Sequence, residues 1–145
     1  MFSDEYFMLK ALNEAQTAFE KDEVPVGAII VAGNRIIARA HNLTETLNDV
    51  TAHAEMQAIT SAASFLGGKY LKECTLYVTL EPCMMCAGAL YWAQIARIVY
   101  CANDTKRGFS LNHPSPLHPA TTITSGILEK ECAVLMTEFF KKKRK

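Results

Sequence analysis

No stretch of this 145-residue chain approaches the roughly 20 consecutive apolar positions of a membrane-crossing helix, so no membrane partner is expected. The opening residues, MFSDEYFM, are acidic and lack the basic-then-apolar plan of a secretory leader. Cysteine is sparse and odd in number, five in all. In a leaderless chain that argues for reduced thiols and a cytoplasmic location. Net charge is missing too, because fifteen Lys and Arg offset fifteen Asp and Glu. The balance is uneven along the chain. Lys141, Lys142, Lys143, Arg144 and Lys145 close it, leaving a body with ten basic against fifteen acidic residues. A basic end on an acidic body suits phosphate contacts as well as it suits a solvated, frayed terminus. No internal repeat, linker or composition break divides the chain, and half its residues are hydrophobic. One ordinary domain spanning 1–145 is the expectation.

Within that domain the elements follow from periodicity and punctuation. Ser3 opens a helix whose apolar face (Phe7, Met8, Ala11, Leu12, Ala15, Ala18 and Phe19) runs to about Lys21. Residues 28–31 and 35–38 flank Gly33-Asn34, a hairpin turn that tolerates positive φ. Gly27 marks either a close approach of backbone or ligand or an ordinary bulge. A polar loop over 41–50 leads to a second helix ending near Leu66, with Gly67-Gly68 as its C-cap. Strand 75–80, helix 84–93 and strand 97–101 follow. A loop with Pro114, Pro116 and Pro119 then precedes a short strand at 121–124 and an amphipathic helix from Leu128. The order α-β-β-α-β-α-β-β-α predicts an α/β fold, a five-stranded sheet sandwiched between helices.

The chemistry concentrates in two short motifs. Pro82-Cys83-Met84-Met85-Cys86 puts two thiols one helical turn apart where a strand ends and a helix begins, and Pro82 suits that boundary. Thirty residues upstream, His53-Ala54-Glu55 opens the other helix. One His and two Cys suit a tetrahedral Zn²⁺ that keeps its fourth position for water. His53 and Glu55, two apart, face different ways in a regular helix, so both reach one metal only if His53 lies in a frayed first turn. Residues 48–51 offer an N-cap region for such a start. Two helix N-termini would then converge on the site and favour negative charge there. A thioredoxin-like dithiol also fits Cys83 and Cys86 but leaves His53-Ala54-Glu55 unexplained. A closed structural site needs a fourth ligand, for which His41, His113, His118, Cys74 and Cys101 are available. Cys74, Cys101 and Cys132 otherwise read as core filler.

These motifs carry a resemblance. The chain resembles the zinc nucleoside deaminases, most closely the bacterial tRNA adenosine deaminases, through His53-x-Glu55 and Pro82-Cys83-x-x-Cys86. Glu23-Val24-Pro25-Val26-Gly27-Ala28, Asn42, Asp104-x-Lys106-x-Gly108 and Gly126-Ile127-Leu128-x-x-Glu131-Cys132 extend the likeness over nearly the whole chain. It implies a three-layer α/β/α cytidine-deaminase-like fold with a mixed five-stranded sheet. It also implies one Zn²⁺ per subunit held by His53, Cys83 and Cys86, no organic cofactor, and Glu55 as proton shuttle. The substrate implied is adenosine at the wobble position of a tRNA anticodon stem-loop. Asn42, Val26 and the backbone of Ala54 and Cys83 would meet it. Lys106, Arg107 and the basic residues 141–145 are candidate RNA contacts. The resemblance implies a symmetric homodimer, and Leu90, Tyr91, Trp92 and Ile95 offer apolar surface for one. Phe139 and Phe140 read as helix packing. Tyr91-Trp92-Ala93, in contrast, resembles guanine deaminases, which makes a free nucleobase or nucleoside deaminase the alternative. A non-catalytic zinc-stabilised RNA-binding module has no use for Glu55.

Overall fold

The architecture was obtained as a computed structural model that describes residues 1–144. Ser3 caps the first helix, α1 (Asp4–Glu20), by accepting the Tyr6 N–H at 3.1 Å. The hairpin β1 (Gly27–Ala32) and β2 (Arg35–His41) turns through Gly33 at φ +64°, where a side chain would be strained. Then come α2 (Ala54–Leu66), β3 (Cys74–Leu80), α3 (Met84–Ala93), β4 (Arg97–Ala102), a 3-10 turn (Phe109–Leu111), β5 (Thr122–Thr124) and α4 (Glu129–Lys143). Gly67 ends α2 in the left-handed conformation at φ +74°, as its sequence position predicts.

The strands form one mixed sheet in the order β2-β1-β3-β4-β5, with β1 antiparallel to both neighbours and β3, β4 and β5 parallel. Alternation along the strands divides two cores. Ile30, Leu76, Val78 and Ile98 face α2 and α3, whereas Ile29, Val31, Tyr77 and Val99 face α1 and α4. Each fully buried aliphatic side chain contributes about 1.5–3 kcal/mol relative to exposure. The stripe Ala54, Ala58 and Ala62, all fully buried, lets α2 lie close on the sheet. Three layers result, as expected from the element order and the resemblance.

Four local expectations change. Gly27 serves backbone approach: a Cβ there would come within 2.1 Å of the Ala11 carbonyl oxygen in α1, and the bulge lies instead at Ile30/Val31. The cap of α2 is His53 itself, while Asp49 folds residues 48–51 into a turn by accepting the Thr51 N–H at 2.8 Å. Cys101 and Cys132 are joined as a disulfide between β4 and α4, so these two are not the free thiols expected from cysteine parity. The basic end is no frayed tail: α4 continues through Lys143, and Lys142 and Lys143 ion-pair with Asp22. Lys145 lies outside the described residues.

Candidate metal centre and active site

The parallel strand β3 delivers Leu80, Glu81 and Pro82 to the start of α3, beside the N-terminus of α2. Ligand sites of α/β sheets commonly form at such carboxyl ends. Here the two helix caps meet, since His53 and Cys83 are both extended cap residues with no side-chain capping bond. Their side chains are therefore free to face one another. Cys86 joins them from the first turn of α3, one turn after Cys83 on the same face. His53 Nδ1 lies 3.7 Å from Cys83 Sγ and 3.5 Å from Cys86 Sγ. Ligand bonds of about 2.3 Å to sulfur and 2.0–2.1 Å to nitrogen, spread tetrahedrally, require N···S separations of about 3.5–3.6 Å. Both nitrogen-to-sulfur separations thus match a tetrahedral zinc ion.

Among the described residues the three ligands form the one His/Cys/Asp/Glu cluster of this kind, with their ligand atoms within 4.8 Å of one another. None of the alternative fourth ligands, His113 included, joins this cluster. His41 sits between Glu14 and Lys21, His118 packs on Tyr91, and Cys101 is paired with Cys132. Cys74 is buried at the far end of β3.

Electrostatics match the geometry. The Cys83 thiol is pulled down to about 3, first by the Cys86 thiol it accepts from and then by His53. His53 is raised in turn by Cys83. Cys86 is pushed up because it holds the proton shared with Cys83 and is buried. A cation entering the cluster displaces these protons, and both sulfurs then serve as thiolates. Glu55 is buried beside Cys86, and its burial pushes the carboxyl up to about 7. A divalent cation nearby draws it down again.

Above the cluster opens a cavity of about 630 Å³. Val26, Asn42, His53, Ala54, Glu55 and Cys83 all line it, so two of the three expected ligands, the carboxylate and the expected substrate contacts share one space, with Cys86 buried behind them. Lys106 and Arg107 stand exposed at its rim. Lys141, Lys142 and Lys143 form the last turn of α4, where Lys143 lines a smaller adjoining cavity that shares Val24 and Thr44 with the main one. Phe139 and Phe140, equal in sequence, separate in space. Phe139 is buried against Phe19, whereas Phe140 is exposed and lines the main cavity with Met136. Helical periodicity carries no signal for that difference, because the cavity side of α4 depends on how the helix crosses the sheet.

Two further carboxylates shape the cavity and have no catalytic position. Glu23, fully buried, accepts the Thr46 N–H and hydroxyl at 2.6 Å each and the Glu45 N–H at 3.1 Å, fixing the loop after Asn42. Glu81 does the same for residues 103–110. The motif spacing singled out neither residue for that task.

Comparison with known proteins agrees with this geometry. The profile of the cytidine and deoxycytidylate deaminase zinc-binding region matches residues 1–102. The tRNA-specific adenosine deaminase of Aquifex aeolicus is 49% identical over 145 residues, covering 97% of this chain and 95% of its own. A structure from studies of A-to-I editing by tRNA:A34 deaminases at the wobble position superposes with a TM-score of 0.84 at 46% identity, covering 90% of this chain and 98% of that one. The guanine deaminase of Bacillus subtilis is also similar, with a TM-score of 0.68 at 40% identity over 72% of this chain and 67% of its own.

Proposed function

The chain belongs to the cytidine and deoxycytidylate deaminase zinc-binding family, and from that premise we propose that it hydrolyses adenosine to inosine at the wobble position of a tRNA anticodon stem-loop. One observation carries the reading. A buried carboxylate, Glu55, adjoins an open three-ligand cluster on the floor of a cavity whose rim is basic and aromatic. A closed structural site has no need of such a carboxylate.

His53, Cys83 and Cys86 would hold one zinc ion per chain, which when bound would supply a water activated near neutral pH. Glu55 would carry one proton of the attacking water to the ring nitrogen beside C6, where it stays, and the second, from the new C6 hydroxyl, to the departing amino group. The water oxygen stays on C6 and ammonia leaves. Asn42, with a donor and an acceptor, orients base or ribose, and Val26 packs on the base. The N–H groups of Ala54 and Cys83 line the reacting region at two helix starts. Lys106, Arg107 and the end of α4 meet phosphates. The whole chain is one deaminase domain working in the cytoplasm.

The substrate assignment is tested by mass spectrometry of an anticodon stem-loop RNA alongside free guanine, adenine and cytosine. Conversion of one adenosine to inosine in the RNA, with the free bases intact, is the expected result. Ready deamination of guanine with the stem-loop untouched assigns the chain to the free-base reading favoured by Tyr91-Trp92-Ala93.

A second copy of the chain completes the assembly. Leu90 and Ile95 are buried within the subunit, so the surface expected of them is not available. Trp92, 76% exposed, remains with Tyr91 and Met84 on the outer side of α3. An uncovered Trp of this kind suits an interface core. Light scattering at micromolar concentration is expected to give twice the chain mass, and Trp92→Glu to shift it to one. A wild-type monomer contradicts the assembly.

A further inference from the structure

Glu81 is 2% exposed and forms no ion pair among the described residues. Its charge is met by one segment alone. Oε1 accepts the Asp104 N–H at 2.9 Å and the Asn103 side-chain amide at 3.2 Å, and Oε2 accepts the Ser110 N–H at 2.8 Å. These anchors bracket residues 105–109, which contain Lys106 and Arg107. Inside the bracket, Asp104 Oδ1 accepts the N–H groups of Lys106 and Arg107 at 3.0 and 3.1 Å. The Phe109 N–H donates to the Pro82 carbonyl at 3.0 Å. Gly108 leaves the room this requires, since a Cβ there would stand 2.1 Å from Glu81 Oε1.

We propose that Glu81 is a positioning residue that holds segment 103–110 in the form that presents Lys106 and Arg107 to the phosphates flanking the target base. The proposal rests on the tRNA reading above. A carboxylate with several N–H donors makes charge-assisted bonds, stronger than neutral ones, and suits a loop that has no ladder of its own. In Glu81→Gln one acceptor oxygen becomes an NH₂ that faces a donor, so at least one backbone N–H is left without its partner. The segment then samples other conformations, and RNA must select the competent fraction. A competent fraction of about one-tenth weakens apparent affinity about tenfold.

The test uses full-length, zinc-loaded wild type, Glu81→Gln, Gly108→Ala and the double variant. Stem-loop affinity is read by fluorescence anisotropy across salt, turnover by inosine formation, and loop order by amide hydrogen exchange. For each single variant KM and Kd are expected to rise about tenfold with kcat within about twofold. The salt slope should stay parallel to wild type, because the competent fraction still grips the same phosphates. Exchange at Asp104 and Ser110 should quicken while metal content holds. The double variant should be no worse than either single one, because both act on the same anchor. A fall in kcat or metal content with KM unchanged overturns the proposal, placing Glu81 under the catalytic centre. Unchanged exchange at Asp104 and Ser110 overturns it as well. Failure of the wild type to bind or convert the stem-loop instead sinks the tRNA reading, a result visible before any variant is compared.

Discussion

Glu55→Gln is expected to lower kcat for inosine formation by about 10³–10⁴-fold while leaving zinc content and RNA affinity near wild type. General acid–base catalysis by one positioned group typically contributes about 10²–10⁴-fold. The upper part of that range applies because Glu55 serves two successive proton transfers. Gln fills nearly the same volume, so the packing under α2 survives. Stability should hold or rise, because a buried ionisable group suited to catalysis is replaced by a neutral one. Kinetics with metal analysis and thermal unfolding check this. Turnover within tenfold of wild type removes Glu55 from the proton path. Loss of zinc in Glu55→Gln makes the residue a ligand instead.

Cys83→Ala is expected to fail differently. Zinc occupancy should fall from about one per chain to near zero, activity should become undetectable, and the protein should lose stability. A metal held by His53, Cys83 and Cys86 would join the start of α2 to the start of α3, where the three side chains otherwise share only a hydrogen-bond network. A loss of several kcal/mol lowers Tm by roughly 10 °C for a chain of this size. Chelation of the wild type should reproduce the loss of activity, and zinc should restore it. Full zinc binding by Cys83→Ala excludes Cys83 as a ligand. Together the two variants separate chemistry from construction: one loses rate alone, the other loses rate, metal and stability.

The motifs made the donor set legible because metal chemistry constrains residue type and spacing at once. Cys83 and Cys86 must share a helix face, and His53 must sit just before a helix for Glu55 to follow it inward. Sequence also identified the elements, down to helix Met84–Ala93, because buried strands and amphipathic helices differ in period. The cap of α2 was misplaced at 48–51 because Asn, Asp and Thr cap turns as readily as helices. His53 is a cap without a capping bond, its ring turned toward the cysteines.

Chain-local physics therefore determined the elements, the sheet-and-helix layering and the candidate donor set with its neighbouring carboxylate. Each depends on periodicity or on spacing of a few residues. Tertiary structure alone decided that Phe140 faces the cavity while Phe139 is buried, and that Trp92 stays exposed while Leu90 does not. It alone decided that Cys101 meets Cys132 and that Glu23 and Glu81 each hold a loop at the cavity. These pairings span from 22 to 31 residues of sequence. No local rule reaches that far, because the partners meet only after the sheet has set the distance between elements and the angle at which each helix crosses it.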